Sequence, residues 1–130
     1  MAETSASEAL AAAALTALAR VDGLNGVYDG IPMKASLPYG TIELGPESEW
    51  SWKDGEGREV RLTATIRDAS ERPGRLRALM AAAETEMLGL ADAGESWRVV
   101  NVVTLRVRTV QKRAGEWSGA AEVRVRMERV

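Results

Sequence analysis

The segment EWSWKDGEGREVRLTATIRD, residues 49–68, reads as a β-hairpin. On its second arm Val60, Leu62, Ala64 and Ile66 alternate with Glu59, Arg61, Thr63, Thr65 and Arg67. A period of two marks a strand with one face buried and the other in solvent. On the first arm Trp50 and Trp52 share one parity. A turn centred near Gly55-Glu56 sets Trp52 opposite Val60 and Trp50 opposite Leu62. Directly opposite residues share a face, so this register puts both tryptophans on the apolar side. There they can fill a core, grip a ligand or seal a contact with another subunit.

A second, longer hairpin closes the chain at 96–130. Val103, Leu105 and Val107 alternate with Thr104, Arg106 and Arg108, and Val123, Val125 and Met127 with Glu122, Arg124, Arg126 and Glu128. The connection QKRAG (111–115) is polar and basic. Between the hairpins a helix is predicted over 71–89, with Ser70 or Asp68 as its cap and Pro73 in the first turn, where a missing N–H is tolerated. Leu76, Leu79, Met80, Ala83, Met87 and Leu90 keep the spacing of a buried face. Upstream, an Ala-rich helix is predicted over 5–20, capped by Ser5 with Glu8 at capping-box spacing. Leu15, Leu18, Ala11 and Val21 make its apolar stripe. Glycines and prolines then punctuate 23–38, leaving a brief edge strand at Val27-Tyr28. A further strand is expected at 39–44, ended by Gly45-Pro46. The order is that of an α+β domain, a mostly antiparallel β-sheet with two α-helices packed on one face. The 130 residues, 1–130, make a single domain.

Composition narrows the chemistry. The chain has no histidine and no cysteine. It therefore lacks the commonest general base, the commonest metal ligand and any thiolate site. No catalytic residues, metal ligands or cofactors are assigned, and the expected answer is not an enzyme. A net charge of −2 gives no overall pull on nucleic acid. No apolar run has the length of a membrane span. The N-terminus carries Glu3 and Glu8 where a secretion signal needs positive charge, so a helix made and kept in the cytoplasm is expected.

Three constellations remain. Glu43, Glu47, Glu49 and Asp54 are the densest carboxylate group, either a small acid–base site or a solvated hairpin edge. Arg61, Arg67, Arg106, Arg108, Arg124 and Arg126 fall on polar-face strand positions. Glu59, Glu122 and Glu128 interleave with them, which suits cross-strand ion pairs better than a clamp on phosphate. Trp50, Trp52, Trp97 and Trp117 are a rich supply of tryptophan for a chain with no phenylalanine. Tryptophan is enriched where one edge is buried and the N–H finds a partner, interfaces included.

In order and over nearly its whole length the chain resembles a known family. The Ala/Leu-rich helix and VYDGIP (27–32) carry the resemblance, followed by LPYGTIELG (37–45), EWSWKDGEGREVRLTATIRD (49–68), a helix beginning near Gly74 and GAAEVRVRM (119–127). It is similar to the tail-completion, or tail-terminator, proteins of long non-contractile-tailed phages and phage-derived gene transfer agents. The resemblance implies a structural virion protein that forms a hexameric ring on the head-proximal end of the tail tube, assembled in the host cytoplasm. Its partners would be itself, the tail tube protein and the head-side connector, with DNA crossing the lumen without sequence-specific binding and no membrane contact. A role as connector or stopper component is the neighbouring alternative, and a nucleic-acid-binding module using the strand arginines a more distant one. On this reading Trp50, Trp52, Lys53, Asp54, Glu56, Gln111, Lys112, Arg113 and Trp117 are candidates for the subunit or tail-tube interface. The six strand arginines are candidates for the lumen or the polar sheet face. Trp50 is expected under the second helix and Trp52 nearer the tip. The second tryptophan of Trp50-Ser51-Trp52 departs from the family's pattern.

Overall fold

The computed structural model describes residues 4–130, so Glu3 lies outside the described residues. Helix α1 spans Ala6–Leu18 and α2 spans Gly74–Leu88. The strands are β1 (Val27–Asp29), β2 (Tyr39–Glu49), β3 (Gly57–Ala69), β4 (Asp92–Ala93), β5 (Trp97–Arg113) and β6 (Glu116–Arg129). They form one sheet in the order β1-β2-β3-β6-β5-β4. β1 and β2 run parallel and every other pairing is antiparallel. The expected α+β architecture is borne out.

Helix α1 begins as the sequence predicts, with the Glu8 N–H donating to Ser5 Oγ at 3.1 Å. Its small residues Ala6, Ala9, Ala11, Ala14 and Ala17 are buried with Leu10 and Leu18, while Leu15 is half-buried. Helix α2 buries the predicted face, Leu76, Leu79, Met80, Ala83 and Met87. Its start is a correction: it begins at Gly74 behind Pro73, and no side chain caps it. Asp68 instead holds Arg75 of the first turn, so the carboxylate anchors a guanidinium rather than the orphan N–H groups.

Both helices lie on the face formed by Ile42, Val60, Leu62, Ala64, Ile66, Ala121, Val123, Val125 and Met127, all within one buried cluster. Each Leu- or Ile-sized side chain of this set stabilises the fold by roughly 1.5–3 kcal/mol through area removed from water. Trp97, buried in the same cluster, donates its indole N–H to the Thr4 carbonyl at 3.1 Å.

Two register expectations are overturned. β2 does not stop at Gly45-Pro46; it runs on to Glu49 through an irregularity between Leu44 and Glu47. Pro46, having no N–H to donate, sits where the ladder is interrupted. The hairpin turn is Lys53-Asp54, closed by the Trp52 N–H to the Gly55 carbonyl at 3.0 Å and the reverse bond at 3.1 Å. Leu44 therefore faces Leu62, Glu47 faces Val60, and the Trp50 N–H bonds the Gly57 carbonyl. This register moves both tryptophans off the apolar side, because a slip by an odd step changes the face of every side chain.

β5 departs from simple alternation as well. Register shifts at 99–101, 104–106 and 111–113 insert extra residues into it. Val103 then lies opposite Arg124 on the face away from the helices, and Thr104 turns toward α2, donating to Glu84 at 2.7 Å. Val103, Leu105 and Val107 are 38–42% exposed rather than buried. Gln111 to Arg113 belong to β5 itself, and the turn is Ala114-Gly115.

Candidate functional site

The sheet face opposite the helices is a charged surface. Arg61, Arg67, Arg106, Arg108, Arg124 and Arg126 all project from it, because each pairs across strands with residues of the non-core parity. The six positions read as one polar face are brought together. Carboxylates lace them: Glu122 lies 3.9 Å from Arg61 and 3.5 Å from Arg106, and Glu59 lies 3.0 Å from Arg126 and 4.0 Å from Arg124. Arg98 and Glu128 add a further pair. Each glutamate serving two arginines leaves a surface of mixed sign. Exposed pairs of this kind contribute about 0–1 kcal/mol each, so they shape the field more than they hold the fold.

The interface candidates fall into two groups at opposite ends of the sheet. At one end Trp50, Trp52, Lys53, Asp54 and Glu56 surround the first hairpin turn. Trp50 and Trp52 meet edge to face at 5.9 Å, and the Arg126 guanidinium lies 5.3 Å from the Trp50 ring centroid. That contact fixes Trp50 on the charged face, not under α2. Both rings need glycine beneath them. A Cβ on Gly55 would stand 2.2 Å from Trp52 Cζ2, and one on Gly57 would stand 3.0 Å from Trp50 Cε3 and 2.5 Å from the Trp50 carbonyl oxygen. The glycines that looked like turn residues are therefore seats for tryptophans. Trp52 remains 46% exposed. Glu56 is held below the ordinary carboxylate range by its hydrogen bond from Arg129, whose Nε stands 2.8 Å away.

At the other end lie Gln111, Lys112, Arg113 and Trp117. Arg113 pairs with Glu116 at 2.9 Å. Trp117 is half-buried against the core cluster and donates its indole N–H to the Ser70 carbonyl at 3.1 Å. Nearby, Asp68 is buried and accepts from Arg75 Nε at 2.8 Å and from the Ala69 N–H at 2.8 Å. The Arg75 hydrogen bond, followed by that of Ala69, holds its carboxyl below its ordinary value of 3.8 against the opposing effect of burial.

The carboxylate group does not converge. Glu43, Glu47 and Glu49 are strung along β2, and Glu47 is tied to Arg58 at 2.8 Å. Among the described residues no cluster of acidic side chains fits a metal ion. The depression between α1 and the end of α2, about 450 Å³, is lined by Ala12, Ala13, Thr16 and Leu90 beside Arg20 and Glu86. Among the described residues no helix is long and apolar enough to cross a membrane.

Sequence reading missed an apolar rim. Val100, Val103, Leu105 and Val107 of β5 are exposed, and so are Ile31 and Met33 in the loop between β1 and β2. One signal was present: residues 97–113 carry five cations and no carboxylate. The central strands β3 and β6 mix their cations with carboxylates, and β5 does not.

No protein-family model matches the chain, and no curated protein matches it by sequence. It is similar in fold to a chain in the structure of the virion of a native gene transfer agent (GTA) particle. The TM-score is 0.74 at 23% identity, covering 97% of this chain and 99% of that one.

Proposed function

We propose that this chain is a structural virion protein rather than an enzyme, and that it serves as a tail terminator. Copies form a ring, hexameric by the resemblance, at the head-proximal end of a tail tube, where the ring ends tube growth and meets the head-side connector. DNA crosses the lumen without being read. The observation that carries the reading is the end-to-end fold likeness to a chain of a gene transfer agent virion, with 97% of this chain covered. The charged face supports it. A lumen through which DNA slides is best served by arginines whose charge glutamates partly offset, as Glu59 and Glu122 do here. Fully uncompensated arginines would grip phosphate and release it slowly.

The test is addition of the purified protein to purified tail tubes, with sedimentation velocity of the protein alone alongside. The expected result is a discrete homo-oligomer, free or on the tube, together with arrested tube growth. A protein that stays monomeric and leaves tube length unchanged would rule the terminator role out.

A further inference from the structure

The sheet ends in two edges of opposite charge. β5 carries Arg98, Arg106, Arg108, Lys112 and Arg113 with no carboxylate, and β2 carries Glu43, Glu47 and Glu49 with no cation. Neither edge is fully covered. β4 pairs β5 only at Trp97 and Arg98, and β1 pairs β2 only from Gly40 to Ile42. Among the described residues, β5 beyond Val99 and β2 beyond Ile42 have no strand on their outer side. Open edges are templates for another chain. The bulges of β5 and Pro46 of β2 interrupt a continuous ladder, so contact there must be carried largely by side chains.

Those side chains are apolar as well as charged. Val100, Val103 and Leu105 stand exposed on the β5 side. On the β2 side Ile31 is 79% exposed and Met33 is fully exposed. Their loop leaves β1 where the Gly30 N–H bonds the Ile42 carbonyl, one residue before Glu43.

The two edges also match in direction and row. Three successive antiparallel pairings make β2 and β5 run in opposite senses. Glu43 pairs with Thr63, Thr63 with Glu122 and Glu122 with Arg106, so Glu43 and Arg106 occupy one row on the charged face. A copy set beside this one, in the same orientation and without slip, brings its Glu43 to Arg106. The loop that carries Ile31 and Met33 starts beside that row, where the Gly30 N–H bonds the Ile42 carbonyl.

We propose that a second copy of this chain docks head to tail on the β5 edge through its own β2 edge and β1–β2 loop. Glu43 faces Arg106 across the contact, and the exposed apolar residues of the two edges cover one another. The interface is heterologous, so each copy keeps one edge for each neighbour and a rotation that closes gives a ring. The choice of a second copy as occupant rests on the ring reading above.

The experiment compares oligomer size by sedimentation velocity for the parent, Arg106→Glu, Glu43→Arg, the double variant and Leu105→Lys. Each variant's fold is checked by thermal melting. Leu105 is an exposed bulge residue, so its lysine variant keeps the monomer fold intact. Each single variant is expected to weaken assembly by about tenfold or more, and the double variant to recover most of it, because the reversed pair is again opposite in charge. A parent that assembles normally while Leu105→Lys and both charge variants assemble equally well overturns this interface and leaves the ring reading standing. A parent that stays monomeric even on tail tubes overturns both.

Discussion

β3 and β5 are neighbours of the same strand, β6, and both alternate apolar with polar residues. β3 has β2 on its other side and the helices over one face, and its Val60, Leu62, Ala64 and Ile66 are all at most 1% exposed. β5 lies near the rim, and among the described residues only Asp92 and Ala93 of β4 pair beyond it. Its Val103, Leu105 and Val107 stay 38–42% exposed. The difference comes from position in the sheet and from the β5 bulges, each of which turns the following side chains over. Apolar alternation in a central strand builds the monomer. On a bulged rim it leaves a surface that a neighbour can cover.

The largest effect should come from the centre. Leu62→Ala should cost about 2–5 kcal/mol of monomer stability, measured by urea unfolding, through lost burial and the cavity left behind. An intermediate effect is expected at the end of β3. Asp68 shares a row with Trp117 and with Gln111, the exposed β5 counterpart. Asp68→Asn should cost about 1–3 kcal/mol at neutral pH, since it weakens charge-assisted bonds to Arg75 and Ala69. Its carboxyl is depressed in the folded protein, so its stabilisation is complete above the ordinary value of 3.8 and disappears as pH falls through the lower folded value. The parent should therefore lose stability in that acid range faster than Asp68→Asn; parallel pH profiles would remove Asp68 from the fold's electrostatics. The smallest effect is expected on the rim. Leu105→Ala should change monomer stability by no more than about 0.5 kcal/mol. A loss equal to that of Leu62→Ala would abolish the distinction between the two strands.

Much of the fold was legible because its signals are local. Ser5 caps α1, Leu76 to Met87 line α2, and β3 keeps its period without a break. What was not legible depended on contacts distant in sequence or on backbone detail. The turn at Lys53-Asp54 looked less glycine-rich than Gly55-Glu56. Gly55 and Gly57 are there to seat Trp52 and Trp50, and no local rule says so. Bulges at Val100 and Leu105 leave no composition mark, so β5 read as β3 does. The arginine face was legible, since it needs only parity from strands that keep or recover their phase. The grouping of interface candidates was not, because the two hairpin turns point to opposite ends of one sheet.

Imaging tailed particles assembled with this chain would show the terminator ring itself. The expected reconstruction is a closed ring of identical copies at the head-proximal end of the tail tube, with Arg61, Arg124 and Arg126 turned toward the lumen. Density for this chain elsewhere in the particle, or as a single copy without rotational symmetry, would contradict it.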